Sequence, residues 1–267
     1  MLSVDQIAFY NSQGYLSPLQ GISGDRARWM QGELDRFEQE RGMSAGSIHF
    51  KGHLVFKWSY DLACSPEILD AVEDVIGPDI LAFASKFWIK GGGDGSFVSW
   101  HQDSAYFGLD PHDLVTAWVA LTDSHRGNGC MRVIPESHLG KAQTHEETYH
   151  EKNLLARGQK INDLDDSNAV DLELKAGEFS LHNERTVHGS LANDTESARI
   201  GLGLFYIPTH VRSTLARRTA CLVRGEDKYG HWDADPIPRH DYDPVVMELV
   251  DLARESYIDP TIAQEAR

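Results

Sequence analysis

The runs ILAFASKFWIK (residues 80–90), SFVSWHQD (96–103), VTAWVALTD (115–123), GCMRVIPES (129–137), AVDLELK (169–175), EFSLHNE (178–184) and ARIGLGLFYI (198–207) decide the fold. Each is short, rich in β-branched and aromatic residues, and set off from the next by Gly, Pro, Asp or Asn, the residues that build turns. Long helical patterns do not alternate with them. A doubly wound or (β/α)8 arrangement is therefore disfavoured, and the strands are expected to close on themselves as a jelly roll or barrel.

Working outward, the segment before residue 79 reads as helical. Ser3 precedes VDQIAFYNSQ and Gly14, and Ser23 precedes GDRARWMQGELDRFEQER and Gly42, so each stretch has a capping hydroxyl at its start and a glycine just past its end. A third helix is expected from Ser65 to Val75, with Ile68, Leu69, Val72 and Val75 at helical spacing, ending before Gly77-Pro78. The fold expected is mainly β with flanking helices, in one domain over 1–267. It has a mainly helical part (1–78), a jelly-roll core (79–212) and a C-terminal extension (213–267) that carries one more helix around VVMELVDLARES. Residues 138–168 are polar and aperiodic, and read either as a lid over a site or as a solvent-facing excursion.

Composition narrows the function. The 41% hydrophobic and 9% aromatic content is that of a globular chain with a sizeable core. With 25 Lys+Arg against 41 Asp+Glu the formal charge is −16, which repels a phosphate backbone or anionic headgroups and disfavours nucleic-acid and membrane partners. An anionic ligand must be caught by a few local cations. The 3 cysteines, Cys64, Cys130 and Cys221, are too few and scattered for a disulfide framework. The N-terminus has neither a basic region nor an apolar run, and no segment approaches the ~18 apolar residues of a membrane span, so a cytoplasmic protein is expected.

The stretch Trp100-His101-Gln102-Asp103 ends one apolar run. Strand residues two apart share a side, so His101 and Asp103 would offer an imidazole nitrogen and a carboxylate oxygen to one ion. Among 13 histidines such a pair also arises by chance, and His231-Trp232-Asp233 repeats it in a Gly- and Pro-rich loop. Only the first is followed by LHNERTVHGSLANDTESAR, where His188 is available as a third ligand and Arg199 as a guanidinium on the next strand. Two histidines and one carboxylate leave coordination positions open, as in non-heme Fe(II) oxygenases, and the planar fork of an arginine suits a carboxylate.

Other features carry less. His145 and His150 stand five apart rather than four and do not share a helical face, against a metalloprotease pair. GGGDG (91–95) lacks the ending of a phosphate loop and reads as a turn. His182 reads as a packing histidine beside the site. Lys86, Lys90, Arg132 and Arg185 read more readily as surface or strand-edge charge than as pocket cations.

The blocks WHQDSAYFGL, AWVALTD, GNGCMRVIPESHLG and LHNERTVHGSLANDTESAR together resemble the phytanoyl-CoA dioxygenase family of Fe(II)/2-oxoglutarate oxygenases, over roughly residues 100–206. The resemblance implies a double-stranded β-helix. It implies His101, Asp103 and His188 as iron ligands, Arg199 and Ser190 on the distal carboxylate of 2-oxoglutarate, and Trp118 beside that cosubstrate. With O2 as second cosubstrate, it implies oxidation of a C–H bond with release of succinate and carbon dioxide. Related halogenases lack the carboxylate ligand, and Asp103 therefore favours hydroxylation. The substrate expected is a small polar metabolite, possibly anionic, since no basic cluster for a CoA moiety is evident; a monomer or homodimer is expected. The alternatives are a non-redox cupin-type lyase or isomerase and a non-catalytic jelly-roll binding module, neither of which needs Arg199.

Overall fold

A computed structural model describes residues 1–258 apart from 49, 156, 157 and 216. The helices are α1 (Val4–Gln13), α2 (Gly24–Arg41), α3 (Gly52–Val55), α4 (Lys57–Ala63), α5 (Pro66–Ile76), α6 (Ser104–Phe107) and α7 (Pro244–Ile258). The strands are β1 (Tyr15–Gln20), β2 (Ile80–Lys90), β3 (Val98–His101), β4 (Leu109–Asp110), β5 (Val115–Ala120), β6 (Met131–Val133), β7 (Glu146–Glu147) and β8 (Gln159–Lys160). They continue with β9 (Val170–Leu172), β10 (Glu178–Asn183), β11 (His188–Ser190), β12 (Arg199–Pro208), β13 (Arg212–Ser213), β14 (Thr219–Arg224) and β15 (Asp233–Ala234).

The capping signals act as written. Ser3 accepts from the Gln6 N–H while the Gln6 side chain accepts from the Ser3 N–H, and Gly14 ends α1 at φ 81°. Ser23 caps α2 through the Arg26 N–H. The apolar stripe Ala27, Met30, Leu34 and Phe37 of α2 and the face Ile68, Leu69 and Val72 of α5 turn into the main core.

A seven-stranded sheet in the order β1-β10-β5-β12-β2-β14-β15 and a four-stranded sheet in the order β3-β11-β6-β9 form the two sheets of a jelly roll. Strand alternation in the large sheet sorts its side chains. Ile200, Leu202, Leu204 and Tyr206 of β12, and Val115, Ala117 and Val119 of β5, pack into the same core as the helices. The intervening Arg199, Phe205, Thr116 and Trp118 face the cavity between the sheets. One face of the sheet thus holds the helices and the other holds the site. This explains why β12 is buried throughout and reads as a continuous apolar run.

The C-terminal part enters the sheet rather than merely following it. β14 pairs with β2, Cys221 opposite Ala82, and β15 pairs with β14. The helical N-terminal part likewise donates β1, which pairs with β10 at the sheet's other edge. Pro18 within β1 and the Gly, Asp and Pro around β15 mask both strands in the sequence.

Candidate active site

β11 lies antiparallel to β3 with His188 directly opposite His101, which sets their imidazole centroids 4.1 Å apart. Asp103 is not in the strand. The backbone turns after His101, and Asp103 sits at φ −60°, ψ −33°, heading α6, so its carboxylate swings back toward the histidines. Its Oδ1 lies 3.6 Å from His101 Nε2 and 3.9 Å from His188 Nε2. The strand-alternation argument therefore reaches the right pair of residues by the wrong geometry.

The tautomers follow from the partners. His101 Nδ1 lies 2.9 Å from the Ser99 carbonyl and His188 Nδ1 2.9 Å from the Thr186 carbonyl. A carbonyl only accepts, so each Nδ1 carries a proton and each Nε2 is turned toward Asp103. Burial, with His101 and His182 close by, holds His188 far below its ordinary pKa, leaving a neutral imidazole. Burial alone would raise the Asp103 carboxyl, but the imidazoles of His188, His101 and His182 outweigh it and keep Asp103 ionised. Thr116 Oγ1 donates to Asp103 Oδ2 at 3.2 Å, and His182 Nε2 stands 3.6 Å from the same oxygen. Two imidazoles and an oriented carboxylate, with ligand atoms all within 4.8 Å of one another, form a donor set that fits a divalent iron ion.

A cavity opens beside the triad. Arg199, Ser190 and Trp118 line it, as the resemblance implies. Arg199 is buried. Its Nη2 donates to the Gly129 carbonyl at 3.0 Å, its guanidinium lies 5.2 Å from the Trp118 ring centroid, and its buried Nε has no partner. Burial lowers its pKa to about 10, which leaves it charged at neutral pH. A carboxylate entering here meets a guanidinium with an orphaned donor, the condition that 2-oxoglutarate would relieve. Lys90, opposite Arg199 across β2 and β12, donates to Ser190 Oγ at 2.7 Å and to the Gly129 carbonyl at 3.1 Å. Burial and the Arg199 charge push its ammonium down to about 6. Because Ser190 Oγ accepts from Lys90, its own hydrogen is left to donate into the cavity.

The glycines of GLGLF in β12 shape this wall. A Cβ at Gly201 would meet the Trp118 ring at 2.0 Å, and one at Gly203 would meet Trp88 Nε1 at 3.0 Å. Both indoles lie over backbone that carries no side chain.

A second chamber adjoins the first, sharing His101, Asp103, Trp88 and Phe205 with it. Its further walls include Phe50, Tyr106, Phe107, Leu155 and Lys86. Lys86 and Lys90 are thus buried at the site and are not surface charge, because β2 is covered on both faces. Arg132 stays outside, held by Asp166 and Asp171 and lying over Trp100, and Arg185 donates to the Gly140 carbonyl.

Residues 138–168 run along β3 rather than away from it. Gln143 N–H donates to Gln102 Oε1, the Gln102 N–H to His145 Nε2, Leu154 N–H to the Phe97 carbonyl, and Ile161 N–H to the Trp100 carbonyl. His145 is therefore a neighbour of Gln102, just past β3, and no part of a zinc pair.

A second buried trio, His53, Cys221 and Asp235, also brings ligand atoms within 4.8 Å. Here Lys51 Nζ already sits 2.7 Å from Asp235 Oδ2 and Ser85 Oγ 2.7 Å from His53 Nδ1. The ammonium supplies the counter-charge a cation would otherwise bring. The trio reads as a buried ion pair that ties β14 and β15 to the N-terminal part.

A family model described as phytanoyl-CoA dioxygenase matches residues 10–201. The chain belongs to the phytanoyl-CoA dioxygenase family. Among its relatives in this family, peroxisomal phytanoyl-CoA dioxygenase of Rattus norvegicus is 26% identical over 231 residues, 77% of this chain and 68% of that one. A probable alpha-ketoglutarate-dependent hypophosphite dioxygenase of Stutzerimonas stutzeri is 32% identical over 171 residues, 62% of this chain and 59% of that one. The aligned part thus spans about 68% and 59% of those relatives' lengths. A solved structure titled a non-heme monooxygenase, ThoJ in its apo form, superposes with a TM-score of 0.84 at 31% identity, covering 98% of this chain and all of the other. Among the described residues no helix is long and apolar enough to cross a membrane.

Proposed function

We propose that this member of the family is an Fe(II)- and 2-oxoglutarate-dependent dioxygenase in which His101, Asp103 and His188 hold the iron. Arg199, Ser190 and Trp118 hold 2-oxoglutarate, the first two on its distal carboxylate. The observation that carries the reading is the orphaned Nε of the buried Arg199 in the same cavity as the triad. A lyase or a binding module has no need of a buried guanidinium in the same cavity as the triad. When bound, the iron and its cosubstrates supply the oxidising power for C–H cleavage. The chain's own residues do the rest. Ser99 and Thr186 fix the imidazole tautomers, Thr116 orients Asp103, Arg199 and Ser190 set the cosubstrate's distance from the ligands, and the aromatic walls exclude water.

The primary substrate, a small polar metabolite with anionic character, would enter the second chamber and undergo hydroxylation. The protein would work as a single domain in the cytoplasm, as a monomer or homodimer. The deciding experiment is anaerobic loading with Fe(II), addition of 2-oxoglutarate and oxygen, and quantification of succinate. Succinate formation that needs both iron and oxygen is expected, and its absence under saturating iron would return the chain to the non-redox cupins.

A further inference from the structure

Lys86 occupies a position that the cosubstrate does not explain. Ala84, Lys86 and Trp88 alternate along β2 toward the second chamber, and Lys86 lies opposite Gly203, over which the Trp88 indole is laid. The Lys86 side chain does not line the cavity of Arg199, Ser190 and Trp118. Its residue exposure is 8%, and among the described residues no carboxylate lies within ion-pair distance. The ammonium has the Leu154 carbonyl and the Trp88 ring, 4.1 Å away, as its partners. By contrast Lys51, also buried, is matched by Asp235. A desolvated ammonium without a counter-charge is costly to keep, and burial accordingly lowers its pKa to about 7. The remaining walls are mostly aromatic or aliphatic, Phe50, Phe107, Leu155 and Phe205 among them, with Tyr106 and, at the triad end, His101 and Asp103 as polar members.

We propose that Lys86 is the anion-recognising residue of the primary-substrate chamber, and that the substrate is a small molecule with an aromatic or branched aliphatic body bearing a carboxylate. This rests on the reading of the triad as an Fe(II)/2-oxoglutarate centre. A single ammonium in a mostly apolar wall matches one carboxylate better than a phosphate, whose further charge would meet no second Lys or Arg among the residues lining the chamber. The net charge of −16 gives no long-range help, so selection must come from this one contact at short range.

The test uses the full chain, loaded anaerobically with Fe(II) and saturating 2-oxoglutarate. Two probes of near-equal shape, 3-phenylpropanoate and 3-phenylpropanamide, are titrated by calorimetry and by intrinsic tryptophan fluorescence. The unsubstituted protein is expected to prefer the carboxylate by at least about tenfold. Lys86→Met should erase that preference and Lys86→Arg should keep part of it. Lys86→Met should melt no lower than the parent, because an apolar chain of similar length replaces an uncompensated buried charge. Equal binding of the two probes, failure of both to bind, or a preference that survives in Lys86→Met would overturn the proposal. 2-Oxoglutarate affinity, measured in the same samples, should be unchanged in all three proteins. If 2-oxoglutarate fails to bind with iron present, the reading of the triad fails instead, and the two failures are told apart.

Discussion

Trp118 fills the place that a side chain on Gly201 would need, its Cζ2 standing 2.0 Å from where a Cβ would be. Trp118 belongs to β5 and Gly201 to β12, neighbouring strands in which Gly203, not Gly201, is the direct partner of Trp118, so the indole leans diagonally across the strand. In that pose it covers the Arg199 guanidinium.

Gly201→Ala should therefore push the indole off Arg199. Overpacking of this kind costs about 1–3 kcal/mol, and a lower melting temperature is expected. The near-UV circular dichroism should change, and the KM for 2-oxoglutarate should rise more than kcat falls. Unchanged KM and melting temperature would show that the Trp118 ring is not confined by this strand.

Replacing His101 or His188 by Ala should abolish iron-dependent succinate formation, as should chelation of the metal from the unsubstituted protein. The carbonyl partners that orient the imidazoles belong to the backbone of β3 and of the turn before β11, and persist without metal. Far-UV circular dichroism should therefore stay close to that of the parent. Asp103→Ala should retain weak iron binding and lose turnover. Near-parental activity in either histidine variant would reassign the ligands.

The alternation of β-type runs was enough to read the jelly roll; His101 and Asp103 stood out at the end of the run 96–103, whereas His188 falls in none of the runs and was picked out by the block LHNERTVHGSLANDTESAR. The sequence could not show that Asp103 reaches the ligand set by a turn out of the strand, since backbone dihedrals after a strand end leave no periodic mark. Nor could it show that Lys86 and Lys90 are buried. A lysine in an otherwise apolar run looks like an edge residue until the strand beside it, here β12, and what covers its faces are known. β15 and the Lys51–Asp235 pair escaped for a related reason: partners 184 residues apart leave no local signal.

Arg199→Ala would leave the distal carboxylate of 2-oxoglutarate buried without its main partner, a loss of about 2–5 kcal/mol. At ~1.4 kcal/mol per factor of ten, the apparent KM for 2-oxoglutarate should rise by more than about tenfold. Arg199→Lys should recover part of this, and Ser190→Ala should cost less than Arg199→Ala because it removes one neutral donor. Equal 2-oxoglutarate dependence in Arg199→Ala and parent would mean that another cation, with Lys90 the nearest candidate, holds that carboxylate.

Lys51→Met should destabilise the fold by about 3–5 kcal/mol, the typical cost of stranding one member of a buried ion pair, here Asp235, whose side chain is fully buried. The double variant Lys51→Met with Asp235→Leu should recover most of the loss. Denaturant unfolding measures both. Addition of zinc should not raise the stability of the unsubstituted protein, because the ammonium already occupies the place of the charge. Stabilisation by a stoichiometric divalent ion other than at the iron site would instead make His53, Cys221 and Asp235 a metal centre.

Residues 138–168 bear on whether oxidation is coupled to substrate. The segment is bound to β3 at Phe97, Ser99 and Trp100 and to Gln102, the residue between two of the three proposed ligands. Leu155 closes one wall of the second chamber, and the Leu154 carbonyl accepts from Lys86. A segment that contacts both the ligand strand and the chamber's cation is placed to sense occupancy there, and closure over bound substrate would keep water from the reacting atoms. Shortening it between Lys152 and Gln159 removes Leu154 and Leu155 together with their hydrogen bonds. Leu155→Ala removes the wall alone and keeps the backbone. Both should raise succinate released per molecule of oxidised product, with any substrate the parent oxidises, because cosubstrate decarboxylation would continue while the substrate is loosely held. The deletion should have the larger effect, and the KM for 2-oxoglutarate should barely move, since Arg199 and Ser190 line the other cavity. A ratio unchanged from the parent in both variants, with melting temperatures intact, would leave these residues as a surface excursion and place the control of coupling elsewhere.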